Sequence, residues 1–377
     1  MLTVNGRVRL WRRRWHSPGE GTTTPLDAWV DAAEATISLG VREMACRLNG
    51  DGKNFDKAAA NLARTAQVQV SGETLRVLVE TEGRRVVQAQ RSGRLPAGWS
   101  AADCRTESGA TRVYFGCDGV MVPLVTEAEK ADRRGKVKGK RRRRGKRARP
   151  LPARKAGADQ KYKGFKIVAY YDETQAHRLV SGTRGDHEAA GRLMRLEAGR
   201  IRLDLADERV GNVDGPPWIR CQARRQSLPL DALGLDFYHL GENVHKARRE
   251  VYGEEDEAGK EWAAALLHAF RHDGYEGAWE RLLSWRLGLC RGREAADRLL
   301  HYVSERRDMI RYPEFLAKGW QIGSGPTEAT CKTLTARLKG SGMRWDADNA
   351  EAVMALEALY QSGQWDAYWR TELRQAG

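Results

Sequence analysis

The sequence predicts an α/β fold of the α+β kind: a mixed sheet flanked by helices, interrupted by an all-helical stretch and preceded by a small, mostly helical unit. Three observations carry this. Short apolar runs at residues 112–118, 209–214 and 233–238 carry an acid at or near their ends. Alternation of Phe165, Ile167 and Ala169 with Lys166, Val168 and Tyr170 marks a further strand. Between 240 and about 310 every apolar cluster has helical spacing instead.

Along the chain, Gly6 to Trp11 reads as a short basic strand. Trp29, Ala32, Ala33 and Ile37 give residues 28–48 a helical face, and Asn54 is positioned to cap a second helix to Ala66. Ser71 then caps a third, residues 73–83, with Arg76, Arg84 and Arg85 along it. Helix, turn and helix make residues 1–105 a candidate DNA-reading domain, although any small helical bundle has the same pattern. The strand ending at Asp118 is followed by Gly119 and Pro123, and residues 130–160 read as a protruding basic loop. Residues 163–171 form the alternating strand and 187–205 a helix, through Ala190, Leu193, Leu196 and Ile201. The short strand 209–213 leads to Asp214, and 233–238 to His239 through Asp236. Trp262, Leu266, Leu267 and Phe270 share a face, as do Trp279, Leu282, Leu283 and Leu287, and Leu299, Tyr302 and Val303. These predict about four helices as an insertion at 240–312. Gly323-Ser324-Gly325-Pro326 then opens a helix, residues 327–337, with Glu328 in its first turn and Pro326 where a proline is tolerated. The core therefore falls into two parts, 106–239 and 313–377.

Composition narrows the function classes. The chain has 377 residues and 12 Trp, enough for a sizeable core, and no apolar run long enough for a membrane span. The start lacks a signal-peptide core, which predicts a cytoplasmic protein. Six scattered cysteines form no C-x-x-C pair and no disulfide framework. The net charge is +15, but residues 133–149 hold 12 Lys or Arg and no acid, which leaves +3 for the rest. A run this dense, with Lys140, Arg141, Arg142, Arg143 and Arg144 at its centre, is either a solvated tract or a contact for nucleic acid.

Two strands ending on acids, then a helix beginning with one, is the pattern a two-metal phosphodiester site requires. Hard divalent cations such as Mg²⁺ or Mn²⁺ need oxygen ligands, and strand ends and a helix start bring them together. Asp118, Asp214 and Glu328 are the candidate metal ligands and catalytic groups. Spacing alone is weak, because loops carry Asp everywhere. Lys332, Arg337, Lys339 and Arg344 make a second basic flank near Glu328. Trp345 beside it has two readings, stacking on a flipped base or packing beneath the last helix.

A resemblance sharpens this pattern. The residues Cys117-Asp118-Gly119-Val120-Met121-Val122-Pro123, Val213-Asp214-Gly215-Pro216-Pro217-Trp218-Ile219, Asp236-Phe237-Tyr238-His239 and Ile322-Gly323-Ser324-Gly325-Pro326-Thr327-Glu328-Ala329 follow one another in order. Lys339-Gly340-Ser341-Gly342-Met343-Arg344-Trp345 and Gly363-Gln364-Trp365 complete the set. Together, over about 112–369, they resemble the ISKra insertion-sequence transposases, which are themselves similar to Mutator-like transposases. The resemblance implies an RNase H-like sheet with a helical insertion before the last acid. It also implies metal-dependent cleavage of transposon ends and strand transfer into target DNA. Double-stranded DNA would be the partner, a homo-oligomer on DNA the working form, and the nucleoid the place of action. On the same analogy Asp214 is the middle ligand and Asp236-x-x-His239 a supporting element, with Asp236 the alternative ligand. His239 would contact the scissile phosphate, brace the insertion or act as an ordinary structural histidine. Trp15 to Glu20 stand where the family often has a cysteine-based zinc element, and Pro216-Pro217 interrupts its Asp-Gly-Ala pattern. Two other readings stay open: a catalytically silent nucleic-acid-binding relative, and an RNase H-like nuclease without strand transfer.

Overall fold

The computed structural model describes residues 1–26, 36–145, 151, 153 and 156–376. Two small antiparallel hairpins open the chain, Leu2–Thr3 with Gly6–Arg7 and Trp15–Ser17 with Gly21–Thr23. The expected strand from Gly6 to Trp11 thus stops at Arg7. Trp29, Ala32 and Ala33 lie outside the described residues, so the expected first helix is seen only as α1 (Leu39–Asp51). The helices α2 (Phe55–Ala66) and α3 (Gly72–Arg91) follow, capped by Asn54 and Ser71. α3 runs eight residues beyond Gly83, which marks a crossing rather than an end. A Cβ there would lie 2.3 Å from the Ala352 carbonyl oxygen.

The sheet comprises β1 (Arg112–Pro123), β2 (Tyr162–Tyr171), β3 (Arg178–Thr183), β4 (Glu208–Val213) and β5 (Ala232–Leu235). Their order is β3-β2-β1-β4-β5. β1, β2 and β3 pair antiparallel, whereas β1–β4 and β4–β5 are parallel. Between β1 and β2 lies α4 (Glu127–Arg143), and between β3 and β4 lies α5 (His187–Arg200). α6 (Pro217–Arg225), like β3 unforeseen from the sequence, supplies the crossover that the parallel pair β4–β5 requires.

Two boundaries differ from expectation in ways that matter to the site. β1 does not end at Asp118, because β2 stays paired with it as far as Pro123, while β4 leaves it after Phe115. β5 stops at Leu235, and Asp236 caps the next helix instead of extending the strand. The basic stretch is also not a loop up to Arg143. Thr126 and Glu129 form a reciprocal capping box that starts α4, whose Lys and Arg are good helix formers with no buried residue. Lys146, Arg147 and Arg149 lie outside the described residues.

β5 is followed by α7 (Phe237–Tyr252), α8 (Glu257–His272), α9 (Gly274–Gly288), α10 (Arg293–Ser304) and the short α11 (Tyr312–Ala317). The chain closes with α12 (Gly325–Thr335), α13 (Ala347–Gln361) and α14 (Trp365–Ala376). Side chains alternate along β1. Val113, Phe115 and Cys117 join one core, with Met194, Leu240, Phe270 and Val303 of α5, α7, α8 and α10. Tyr114, Val120 and Val122 join the other, with Val41, Leu62, Val79 and Leu356 of α1, α2, α3 and α13. The N-terminal helices therefore share a core with the sheet. Arg76 is held by Glu73 and Glu80, Arg84 by Asn349 and Thr81, and Arg85 by Glu82, so α3 does not offer them as an open groove-reading face. Among the described residues, no helix is long and apolar enough to cross a membrane.

Candidate active site

Asp118 sits where the sheet narrows. It is beyond the last β4 partner of β1, on the side chain alternation that faces α12. Gly116, two residues earlier on the same side, makes room for that helix: a Cβ there would stand 1.8 Å from Thr327 Oγ1 and 2.9 Å from its Cβ. The close approach brings Glu328, in the first turn of α12, toward the strand. A carboxylate is favoured at a helix N-terminus by the exposed amides there. Asp214 follows the last residue of β4 and precedes Gly215, whose φ of 80° suits glycine.

Ligand atoms of Asp214, His239 and Glu328 all lie within 4.8 Å of one another. Asp118 is not in that trio, yet it is near enough to act on it. Burial and then the charge of Asp118 push the Asp214 carboxyl up to about 6, against the opposing effect of His239. Cys331, one turn after Glu328, is likewise raised by burial, then by Asp118 and Asp214. Ser324 Oγ is 3.4 Å from both Asp214 Oδ1 and Glu328 Oε1. With one hydroxyl proton it can donate to only one of them at a time.

The second acid of the middle region has a different task. Asp236 is fully buried, and its carboxylate accepts from the His239 amide at 2.8 Å and from the Ser324 amide. It thereby ties the start of α7 to the turn before α12. Asp236 is absent from the group of ligand atoms that Asp214, His239 and Glu328 bring together, so the geometry favours Asp214 over Asp236 as the middle ligand. Asp236 is a positioning residue.

His239 Nε2 is 2.8 Å from Asp214 Oδ2, and Nδ1 is 3.0 Å from Glu242 Oε2. Both ring nitrogens face carboxylates, so only the imidazolium satisfies both. Burial works against that charge, but Asp214 and Glu242 outweigh it and hold His239 above its ordinary value. The histidine braces Asp214.

Several neighbours carried no recognisable sequence signal. Arg306 comes from the turn after α10 and reaches Gly215, where a Cβ would be 2.8 Å from its Nε. Burial pushes Tyr302 up to about 12, with Arg306 opposing and the charges of Asp214, Asp236 and Glu242 adding. Lys166 lies across from Gly119 on β2 with its ammonium 5.1 Å from the Trp218 ring centre. Ser324 stands inside a Gly-Ser-Gly-Pro run that marked the helix start without revealing its reach to both acids.

The basic candidates separate. Lys140, Arg141, Arg142 and Arg143 form the last turn of α4, followed by Arg144, and Lys332 and Lys339 are exposed. Arg337 is instead buried, bonded to Asn49 at 3.1 Å, with Phe55 and Trp345 rings 4.9 and 5.3 Å away. Burial pushes its guanidinium down to about 10. It fastens α1 to the C-terminal segment and is not available to DNA. Arg344 pairs with Glu129. Trp345 is a core residue, its Nε1 donating to the Leu338 carbonyl at 3.1 Å, so the base-stacking reading of Trp345 is withdrawn.

Two carboxylates with a histidine, and Asp118 nearby, make a mostly hard donor set that fits Mg²⁺ or Mn²⁺ better than a thiophilic metal, and burial keeps the Cys331 thiol protonated. No family model matches the chain, and no curated protein matches it.

Proposed function

We propose that the protein is a DNA transposase of an insertion sequence, an RNase H-like enzyme that cuts transposon ends and joins them to target DNA. The observation that carries this is the meeting of Asp214 and Glu328, from distant segments, with His239, close enough to Asp118 on β1 for its charge to act on Asp214. Three antiparallel strands extended by two parallel ones, with Asp118 on β1 and Asp214 just after β4, support the RNase H-like reading. The helical insertion between Asp214 and Glu328 supports the same reading.

Asp118, Asp214 and Glu328 would hold the divalent cations. When bound, these activate water or a 3′-hydroxyl and stabilise the leaving oxygen of the phosphodiester. The protein's own groups fix the geometry. His239 holds one oxygen of Asp214 in place, and the Ser324 hydroxyl donates to either Asp214 or Glu328. Asp236 ties the start of α7, which carries His239, to the turn before α12, which carries Glu328. The basic turn at the end of α4, with Lys332 and Lys339, would supply phosphate contacts to double-stranded DNA, and a homo-oligomer would bring two ends together.

The test is cleavage of supercoiled plasmid and of duplexes carrying the element's ends, in Mg²⁺ or Mn²⁺. Asp118→Asn and Glu328→Gln should abolish strand cleavage while DNA binding persists. Nicking that survives both substitutions in a clean preparation would refute the proposal. Pre-cut ends separate a transposase from a nuclease: joining to target DNA is expected, and hydrolysis alone would reduce the function to cleavage.

A further inference from the structure

We infer that Tyr238 is a stacking platform for an unpaired nucleobase beside the phosphate held at the acidic cluster. This rests on the reading of the site as a DNA-cleaving centre and names a residue that would hold the strand there.

Tyr238 is 71% exposed, although it lies in the first turn of a well-packed helix. Its neighbour Phe237 turns inward onto Tyr312, ring centres 5.2 Å apart. Burial therefore claims one aromatic of the pair and leaves the other in solvent. The exposed ring is nonetheless fixed at its base. Asp236 and His239 on either side are tied respectively to the Ser324 amide and to Asp214. The ring also rests against Gly323, where a Cβ would come within 3.0 Å of Cε2 and 3.2 Å of Cδ2. Glycine at 323 thus lets the ring lie close against the turn, where a larger residue would crowd it. The next residue, Ser324, is the one that reaches Asp214 and Glu328. Backbone seats the ring one peptide away from the reacting groups.

An acidic cluster repels a phosphate, and a neutral aromatic surface adds hold on the strand without competing for cations. Every base has a π-face, so stacking on such a ring tolerates any sequence. A base in intact duplex already has both faces covered. An unpaired or flipped base next to the reacting phosphate is therefore the fitting occupant.

The test uses the full chain and duplex oligonucleotides with a short single-stranded extension that carries a fluorescent adenine analogue, whose emission falls when it stacks. Binding is read with Ca²⁺ present, and cutting is read separately in Mn²⁺. Wild type and Tyr238→Phe should quench the analogue equally. Tyr238→Ala should leave it bright and weaken binding of the extended duplex by about tenfold or more, with little change for a blunt duplex. Gly323→Ala, which crowds the ring at its seat, should lower the quench with the tyrosine still present. Circular dichroism confirms that each variant is folded. If wild type neither binds nor cuts these DNAs, the transposase reading falls and this inference with it. If wild type cuts, yet Tyr238→Ala binds and quenches as wild type does, this inference alone is overturned.

Discussion

At the residue scale the two neighbouring acids of the middle region illustrate how environment divides like chemistry. Asp214 and Asp236 both follow short apolar strands, and nothing in strand spacing tells them apart. The difference is what comes next. After Asp236 a helix begins at once, and its carboxylate is consumed by amides; after Asp214 a glycine turn follows, and its carboxylate meets the side chains of His239 and Ser324 instead. Asp214 carries a testable consequence. Its value in the fold, about 6, lies above the ordinary 3.8, mainly through burial and then Asp118. A raised acid favours the folded state fully below about 4, and that contribution is lost as pH rises through about 6. Cations binding the carboxylate compete with its proton. The gain in melting temperature on adding saturating Mg²⁺ should therefore be larger at pH 7.5 than at pH 5, measured by thermal unfolding with and without the metal. Equal gains at both pH values would show that Asp214 is not part of the cation site.

Elements are legible where a cap or a period stands in the sequence, and hidden where charge or punctuation masks pairing. Asn54, Ser71 and Pro326 mark helix starts that the fold uses. The full length of β1 is masked because Gly119 and Pro123 read as breaks, whereas the antiparallel partner β2 runs on past both. α4 reads as a loop because charge dominates its composition, although Thr126-x-x-Glu129 is present as a capping signal. Its exposed last turn makes a prediction proper to an element. Replacing Lys140, Arg141, Arg142, Arg143 and Arg144 together by glutamine touches no buried residue, so the fold and melting temperature should be retained. DNA affinity should weaken at every sequence, and the slope of log affinity against log salt should become shallower by about 0.9 for each phosphate no longer neutralised. An unchanged slope would place the DNA elsewhere.

On the scale of the whole molecule, a division at about residue 105 does not anticipate the packing. Tertiary contacts cannot be read from helical periodicity, and the apolar faces of α1, α2 and α3 look in sequence like a self-contained bundle. They pack instead with α13 on one face of the sheet, where Gly83 meets Ala352 and Arg337 reaches Asn49. The acids are readable one by one, but the meeting of Asp214 with Glu328 depends on tertiary packing that the sequence does not display. A chain truncated to begin at residue 106 would expose the apolar surface left by Val41, Leu62, Leu75 and Val79. It should aggregate or lose its cooperative melting transition, as read by light scattering and differential scanning fluorimetry. A soluble, cooperatively melting fragment would show the first hundred residues to be dispensable to the core.

The length of β1 has one more consequence. Ten residue pairs with β2 lock its register, from Tyr114 opposite Tyr171 to Pro123 opposite Tyr162. Sliding by a single position would rotate every side chain to the other face and present a thiol, Cys117, where a carboxylate belongs. The aim of Asp118 is thus guarded collectively, by a zipper long enough that no single weak tooth can let it slip.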